Sequence, residues 1–150
     1  MSSQEKNIYV SISVTLLVFG VYVFKMLGYF EAGLFEQPNG LKLLGKSILI
    51  LIGIMAAANI VAQILSSILF AALAKNCNPD FQRDERDKQI ELKGMQLSYA
   101  VFGAGLILTM ILLTAGWAGA PLAFNLIIGS IVFAEIVGNL KKLYHYNRGF

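Results

Sequence analysis

Glu135 stands inside an apolar run near the end of the chain, where an ionised carboxylate is costly to place. Two carboxamides, Asn59 and Gln63, fall at matching depth in another apolar run, and Asn139 continues the stripe one turn deeper. A protonated Glu135 can donate to the amide oxygen of Asn59 or Gln63, and each such bond is worth about 0.6–2 kcal/mol in a bilayer. The same group also suits a proton or cation site, because burial favours the neutral acid and amide oxygens make ready co-ligands. A salt link to an arginine of the charged central segment is a third use for it. Asn59, Gln63, Ser66 and Ser67 share one helical face, which is expected to turn inward.

A second concentration of chemistry is the segment 75–93, KNCNPDFQRDERDKQIELK. It holds 10 of the 21 charged residues of the chain. Its signs balance, with Lys75, Arg83, Arg86, Lys88 and Lys93 against Asp80, Asp84, Glu85, Asp87 and Glu91. Asp84 and Lys88 form an acid-to-base i, i+4 pair, and Arg83 and Asp87 form one in the reverse order. Such mixed charge reads first as a solvated helical connector. Arg83, Asp84, Glu85, Arg86 and Asp87 are its candidate docking residues for a cytoplasmic or membrane protein partner. Adjacent acids on a helix point in different directions, and no glycine-bearing calcium loop is present, so no metal site is expected.

Other chemistry is excluded by residue counts. Cys77 is the one cysteine and His145 the one histidine, which rules out an intramolecular disulfide and a His/Cys metal cluster within one chain. No phosphate-binding glycine loop, G-x-S-x-G or H-E-x-x-H occurs. No catalytic residue and no cofactor is expected, and the chain reads as a non-enzyme.

These residues must be positioned by long apolar elements. The chain has 150 residues, of which 57% are hydrophobic and 14% charged. Soluble domains carry about 25% charged residues. The remaining charge falls in blocks, as in a multi-span membrane protein, and one membrane domain over 1–150 accounts for the length. The spans are read at about 8–30, 47–74, 97–114 and 122–140. The first is read as a retained span, since MSSQEK is weakly basic and no A-x-A-type site follows. Residues 31–46 form a connector with Gln37-Pro38-Asn39-Gly40 as its turn. A short charged helix is expected between spans two and three, turning at Gly94 into span three. Residues 115–121 make a tight turn with Trp117 at the interface. Gly53 and Ala56–Ala58 in span two, and Ala100, Gly103, Ala104 and Gly105 in span three, offer small-residue faces for close helix contact.

Four spans bring both termini and the charged segment to one side. That side carries nine basic residues against three (Lys25, Lys42 and Lys46) on the other. The positive-inside rule then places it in the cytoplasm. The net charge of +3 needs no nucleic-acid partner, because the basic residues flank the spans.

Asp84-Glu85-Arg86-Asp87, followed by Ile90-Glu91-x-Lys93-Gly94 and a span, resembles the signature of small bacterial four-span membrane proteins of unknown function. The tail Tyr144-His145-Tyr146-Asn147-Arg148-Gly149 is similar to theirs. The resemblance covers 17 of 150 residues beyond the span pattern. It implies architecture and a bacterial inner membrane, and it carries no activity. Size and span count also resemble membrane-associated glutathione-transferase-like proteins, but their Arg/Asn-rich glutathione-binding pattern is not evident. The fold expected is an all-α four-helix transmembrane bundle, associating as a dimer or trimer. The function expected is that of an accessory, regulatory or immunity-type component. A proton- or cation-coupled transporter or channel is the rival, and an enzyme comes third.

Overall fold

The computed structural model describes residues 3–73 and 85–148, and all regular structure among them is α-helical. Four helices follow in order: α1 (Ser3–Glu31), α2 (Gly40–Leu73), α3 (Glu85–Thr114) and α4 (Ala120–Arg148). All four are long and apolar enough to cross a membrane. Their outer surface is studded with large apolar side chains such as Phe24, Leu49 and Ile107. A surface of that kind is stable against lipid. The chain is thus built as a multi-pass, all-α four-helix membrane bundle.

Two hairpins end their first helix by the same device. Gly33 follows α1 and Gly116 follows α3, and these are the glycines with positive φ, 63° and 75°. In the first, Leu34 N–H donates to the Tyr29 carbonyl and Gly33 N–H to Phe30. In the second, Trp117 N–H donates to Leu112 and Gly116 N–H to Leu113. Both are Schellman closures, which satisfy the last carbonyls and need a residue tolerant of left-handed backbone. Pro121 then falls in the first turn of α4, where its missing N–H leaves no gap.

The helices run past the spans read from sequence, α1 from Ser3 and α4 to Arg148, and two connections also differ. The first connector is shorter than 31–46, because α2 already starts at Gly40. Asn39 C=O accepts from Leu43 N–H, and a Cβ on Gly40 would strike the Phe35 carbonyl. Leu44 is thereby carried into the core with Tyr22, Met26 and Leu51. The charged segment, where described, is not a separate helix turning at Gly94. Residues 85–93 are the first turns of a continuous α3. Gly94 is buried because α4 comes close: a Cβ there would meet the Lys142 stem and the Gly138 carbonyl. Its glycine serves approach rather than a bend.

The helices lie in the order α3, α4, α1, α2, with α2 also touching α4. Among the described residues α3 packs on α4 alone. That seam is lined by Gly94, Ser98, Gly105 and Thr109 against Ser130, Ala134 and Gly138. Ala100 and Ala104, expected on the packing face, are exposed, and Gly103 has open space around it. The α1–α2 pair is filled by bulkier groups, Tyr22, Met26, Leu44 and Leu51, with Val18 and Met55 beside them. A Cβ on Gly138 would collide with Ser98 Oγ and the Gly94 carbonyl. Gly138→Val is therefore expected to destabilise the α3–α4 hairpin by about 1–3 kcal/mol. Gly103→Ala, into open space, should leave the unfolding midpoint in detergent nearly unchanged, and the comparison of the two midpoints checks the seam.

Candidate functional site

Polar side chains within the spans meet along α1. Asn7, Ser11, Thr15 and Tyr22 follow one another at intervals of four, four and seven residues, so they fall along one side of that helix. Ser11 Oγ donates to Asn59 Oδ1 of α2 at 3.1 Å. One turn nearer the N-terminus, Ser66 Oγ approaches Asn7 Oδ1 at 3.4 Å while donating to the Gln63 carbonyl at 2.9 Å. Toward the other end, Tyr22 Oη donates to Asn125 Oδ1 of α4 at 2.7 Å. Phe19 stacks beside Tyr22 with ring centroids 6.0 Å apart, next to Gly129 of α4.

Glu135 is half-buried where α4 meets α1. Its neighbours are Thr15 of α1, which is fully buried, and Lys142, two turns on along α4. The Thr15 hydroxyl faces the carboxyl but makes no hydrogen bond of full geometry. Asn139 is buried between Glu135 and Lys142 on the same stripe. The Lys142 stem runs across Gly94 of α3.

The four residues singled out from sequence are thus divided by α1. Asn59 addresses Ser11, and its Nδ2 donates to the Met55 carbonyl at 3.1 Å. Glu135 addresses Thr15, one turn along α1 from Ser11. Gln63 is exposed, and its backbone carbonyl accepts from Ser66 and Ser67. The face carrying Asn59, Gln63, Ser66 and Ser67 does not turn inward as one: Ser66 is buried and Ser67 exposed. Asn59 and Glu135 thus address successive turns of α1, at Ser11 and Thr15, from different helices. The α1 residues were missed because Ser and Thr disappear into an apolar run. Their spacing of four was the available signal. Glu5, buried in the first turns of α1, was likewise passed over.

Of the docking candidates, Arg83 and Asp84 lie outside the described residues, as does Cys77. Glu85, Arg86 and Asp87 form the opening turn of α3, where acids complement the helix dipole. Asp87 also accepts from Tyr146 Oη of α4 at 3.0 Å. Among the described residues no three His, Cys, Asp or Glu side chains are grouped to hold a metal ion.

No family model, curated protein or solved structure matches this chain. The arrangement itself is that of a membrane bundle whose polar groups join neighbouring helices one to one. Coupling between Tyr22 and Asn125 is expected to be about 0.6–1.7 kcal/mol in a double-mutant cycle with Tyr22→Phe and Asn125→Ala, read from unfolding in micelles. Strict additivity of the two variants would show that the contact does not hold α1 on α4.

Proposed function

We propose that the chain is a non-enzymatic multi-pass membrane component of accessory, regulatory or immunity type. It acts by helix packing and through the charged segment between α2 and α3. What supports this reading is the pairwise use of polar groups: Ser11 with Asn59 and Tyr22 with Asn125 each spend their bonds on joining helices. Self-association as a dimer or trimer belongs to the same reading, since among the described residues α3 packs on α4 alone.

One observation favours a second reading, a small proton- or cation-coupled transporter or channel. Glu135 is half-buried within a span, and the hydroxyl facing it is not locked in a full hydrogen bond. A carboxyl held that loosely is free to exchange a proton or cation. Reconstitution in liposomes separates the two readings. The accessory reading expects no proton flux driven by a pH gradient, in the wild type or in Glu135→Gln. A flux present in the wild type and abolished by Glu135→Gln, which keeps shape and hydrogen bonding but removes the charge, would sink it in favour of transport.

For location, we infer a bacterial inner membrane with both termini and residues 75–93 in the cytoplasm. The nine-to-three division of basic residues supports that orientation. Cys77 should then react with a membrane-impermeant thiol reagent in inverted vesicles and stay unlabelled in intact cells. Labelling in intact cells would reverse the orientation.

A further inference from the structure

Three helices that touch one another, α1, α2 and α4, stack polar side chains in two adjoining levels toward the end of the bundle that carries the termini. The register of α1 on α4 follows from two contacts. Tyr22 bonds Asn125, and Phe19 lies 3.9 Å from where a Cβ on Gly129 would stand. Counted along the antiparallel pair from either contact, Glu135 falls level with Ile12 or Ser13, between Ser11 and Thr15. Each of those hydroxyls is then within about 5 Å of it along the axis. Asn59 of α2 enters the same level, accepting from Ser11 at 3.1 Å. One turn nearer the termini, Ser66 approaches Asn7 at 3.4 Å. The same register brings Asn139 to that level, and Ser66 and Asn139 are both buried.

In the other direction the polar stack stops. Val18 and Phe19 of α1, Met55 of α2 and Ile128 of α4 pack on the core of Tyr22, Met26, Leu44 and Leu51. The polar pair inside that block is closed on itself: Asn125 accepts from Tyr22 and donates to the Pro121 carbonyl at 2.8 Å. Thr15 is different. It is 1% exposed, and its Oγ1 has no hydrogen-bond partner. A buried hydroxyl left unbonded is costly, and it marks a place where a further group is bound. Thr15 stands where the polar levels meet the apolar block.

Few charges surround this place. On α4, Lys142 lies two turns beyond Glu135, and on α1, Glu5 and Lys6 lie near the helix start. α2 has no charged residue from Ser47 to Leu73, and α3 has none from Gly94 to Thr114. α3 also packs on a different stripe of α4, that of Ser130 and Gly138. Tyr9 and Tyr99 are exposed on the outside. Ser11 and Asn59 are bonded to each other, which leaves the Thr15 hydroxyl and the Glu135 carboxyl as donors. An oxygen-seeking metal ion takes about six such donors. A proton needs one carboxylate.

We propose that Glu135 and Thr15 form a proton-binding site that opens only toward the end of the bundle carrying the termini, through the level of Asn7, Ser66 and Asn139. Water entering along those side chains brings hydronium, whose proton passes to the Glu135 carboxylate and leaves water behind. The Thr15 hydroxyl donates to the carboxylate and turns to accept from the O–H once the acid forms. The block of Val18, Phe19, Met55 and Ile128 keeps the proton from leaving on the far side. The site extends the accessory reading: the chain registers pH on one side and passes no proton across.

The full chain is placed in one orientation in liposomes, sorted by Cys77 labelling, with the two sides buffered separately. Infrared difference spectra against Glu135→Gln isolate the carbonyl stretch of the protonated Glu135 carboxyl. That stretch should grow as pH falls on the side of the termini, stay unchanged as pH falls on the far side, and be lost in Glu135→Gln. Thr15→Val should shift it to higher frequency by removing its hydrogen bond, and Thr15→Ser should restore its position. A stretch that ignores pH on both sides, or that follows the far side, overturns the site. The first of these leaves the accessory reading standing, since that reading falls only to a proton flux through the wild type. A stretch unmoved in Thr15→Val overturns the part of Thr15, and where that variant does not fold the sidedness of the wild type decides.

Discussion

A hydrogen-bonding group that enters the hydrocarbon must find its partner within the protein, and the structure follows from that constraint. The backbone meets it with four long helices and Schellman closures after α1 and α3. The short hydroxyls meet it by bonding back to their own helix. Ser13 donates to the Tyr9 carbonyl, Ser47 to Leu43, Ser98 to Gly94, Thr109 to Gly105 and Ser130 to Leu126. A hydroxyl so used presents little more bulk than a methyl group to its neighbour. Ser98 and Ser130 can therefore line the seam where α3 and α4 come closest. Ser11 with Asn59 and Tyr22 with Asn125 make bonds between helices.

Because lipid offers no hydrophobic drive for helix association, each pair relies on a different local device. The α3–α4 pair relies on missing side chains at Gly94, Gly105 and Gly138, which let backbones approach. The α1–α2 pair relies on the bulk of Tyr22, Met26, Leu44 and Leu51. Between the hairpins, α1 meets α4 through the Tyr22–Asn125 bond, the Phe19 ring beside Gly129 and the approach of Thr15 to Glu135. That interface mixes polar and aromatic contacts where the hairpins themselves use mostly packing. The α1–α4 contact is thus the place where the two halves of the molecule depend on specific atoms.

The spans were legible from the charge blocks, and the α3–α4 hairpin from its short link at residues 115–121; the pairing of α1 with α2 was not. Helix ends were less legible than the spans. Lys42 and Lys46 make residues 41–46 look like a loop, yet Asn39 and Gly40 start the helix before them. Gly94 beside a charged run looks like a turn, and only the position of Gly138 shows that it marks close approach. The small-residue face of α3 was read at Ala100, Gly103, Ala104 and Gly105; of these Gly105 lies in the seam, and Gly94 and Ser98 complete the contact. Which of two small faces is used depends on the rotation of each helix about its axis, and a single chain's composition does not encode that rotation plainly. The same holds for Gln63, which lies within about 40° of Asn59 around α2 yet faces outward.

Glu135 is connected to the rest of the fold through two partners that lie in different hairpins. Thr15 belongs to α1, in the first hairpin, and is placed by the packing of that helix on α4. Lys142 belongs to α4, and its stem can lie where it does only because Gly94 of α3 has no Cβ. A side chain at Gly94 would push that stem aside. Glu135 thus has a neighbour on each side of the junction: Thr15 on α1, and Lys142 on α4, whose stem lies against Gly94 of α3.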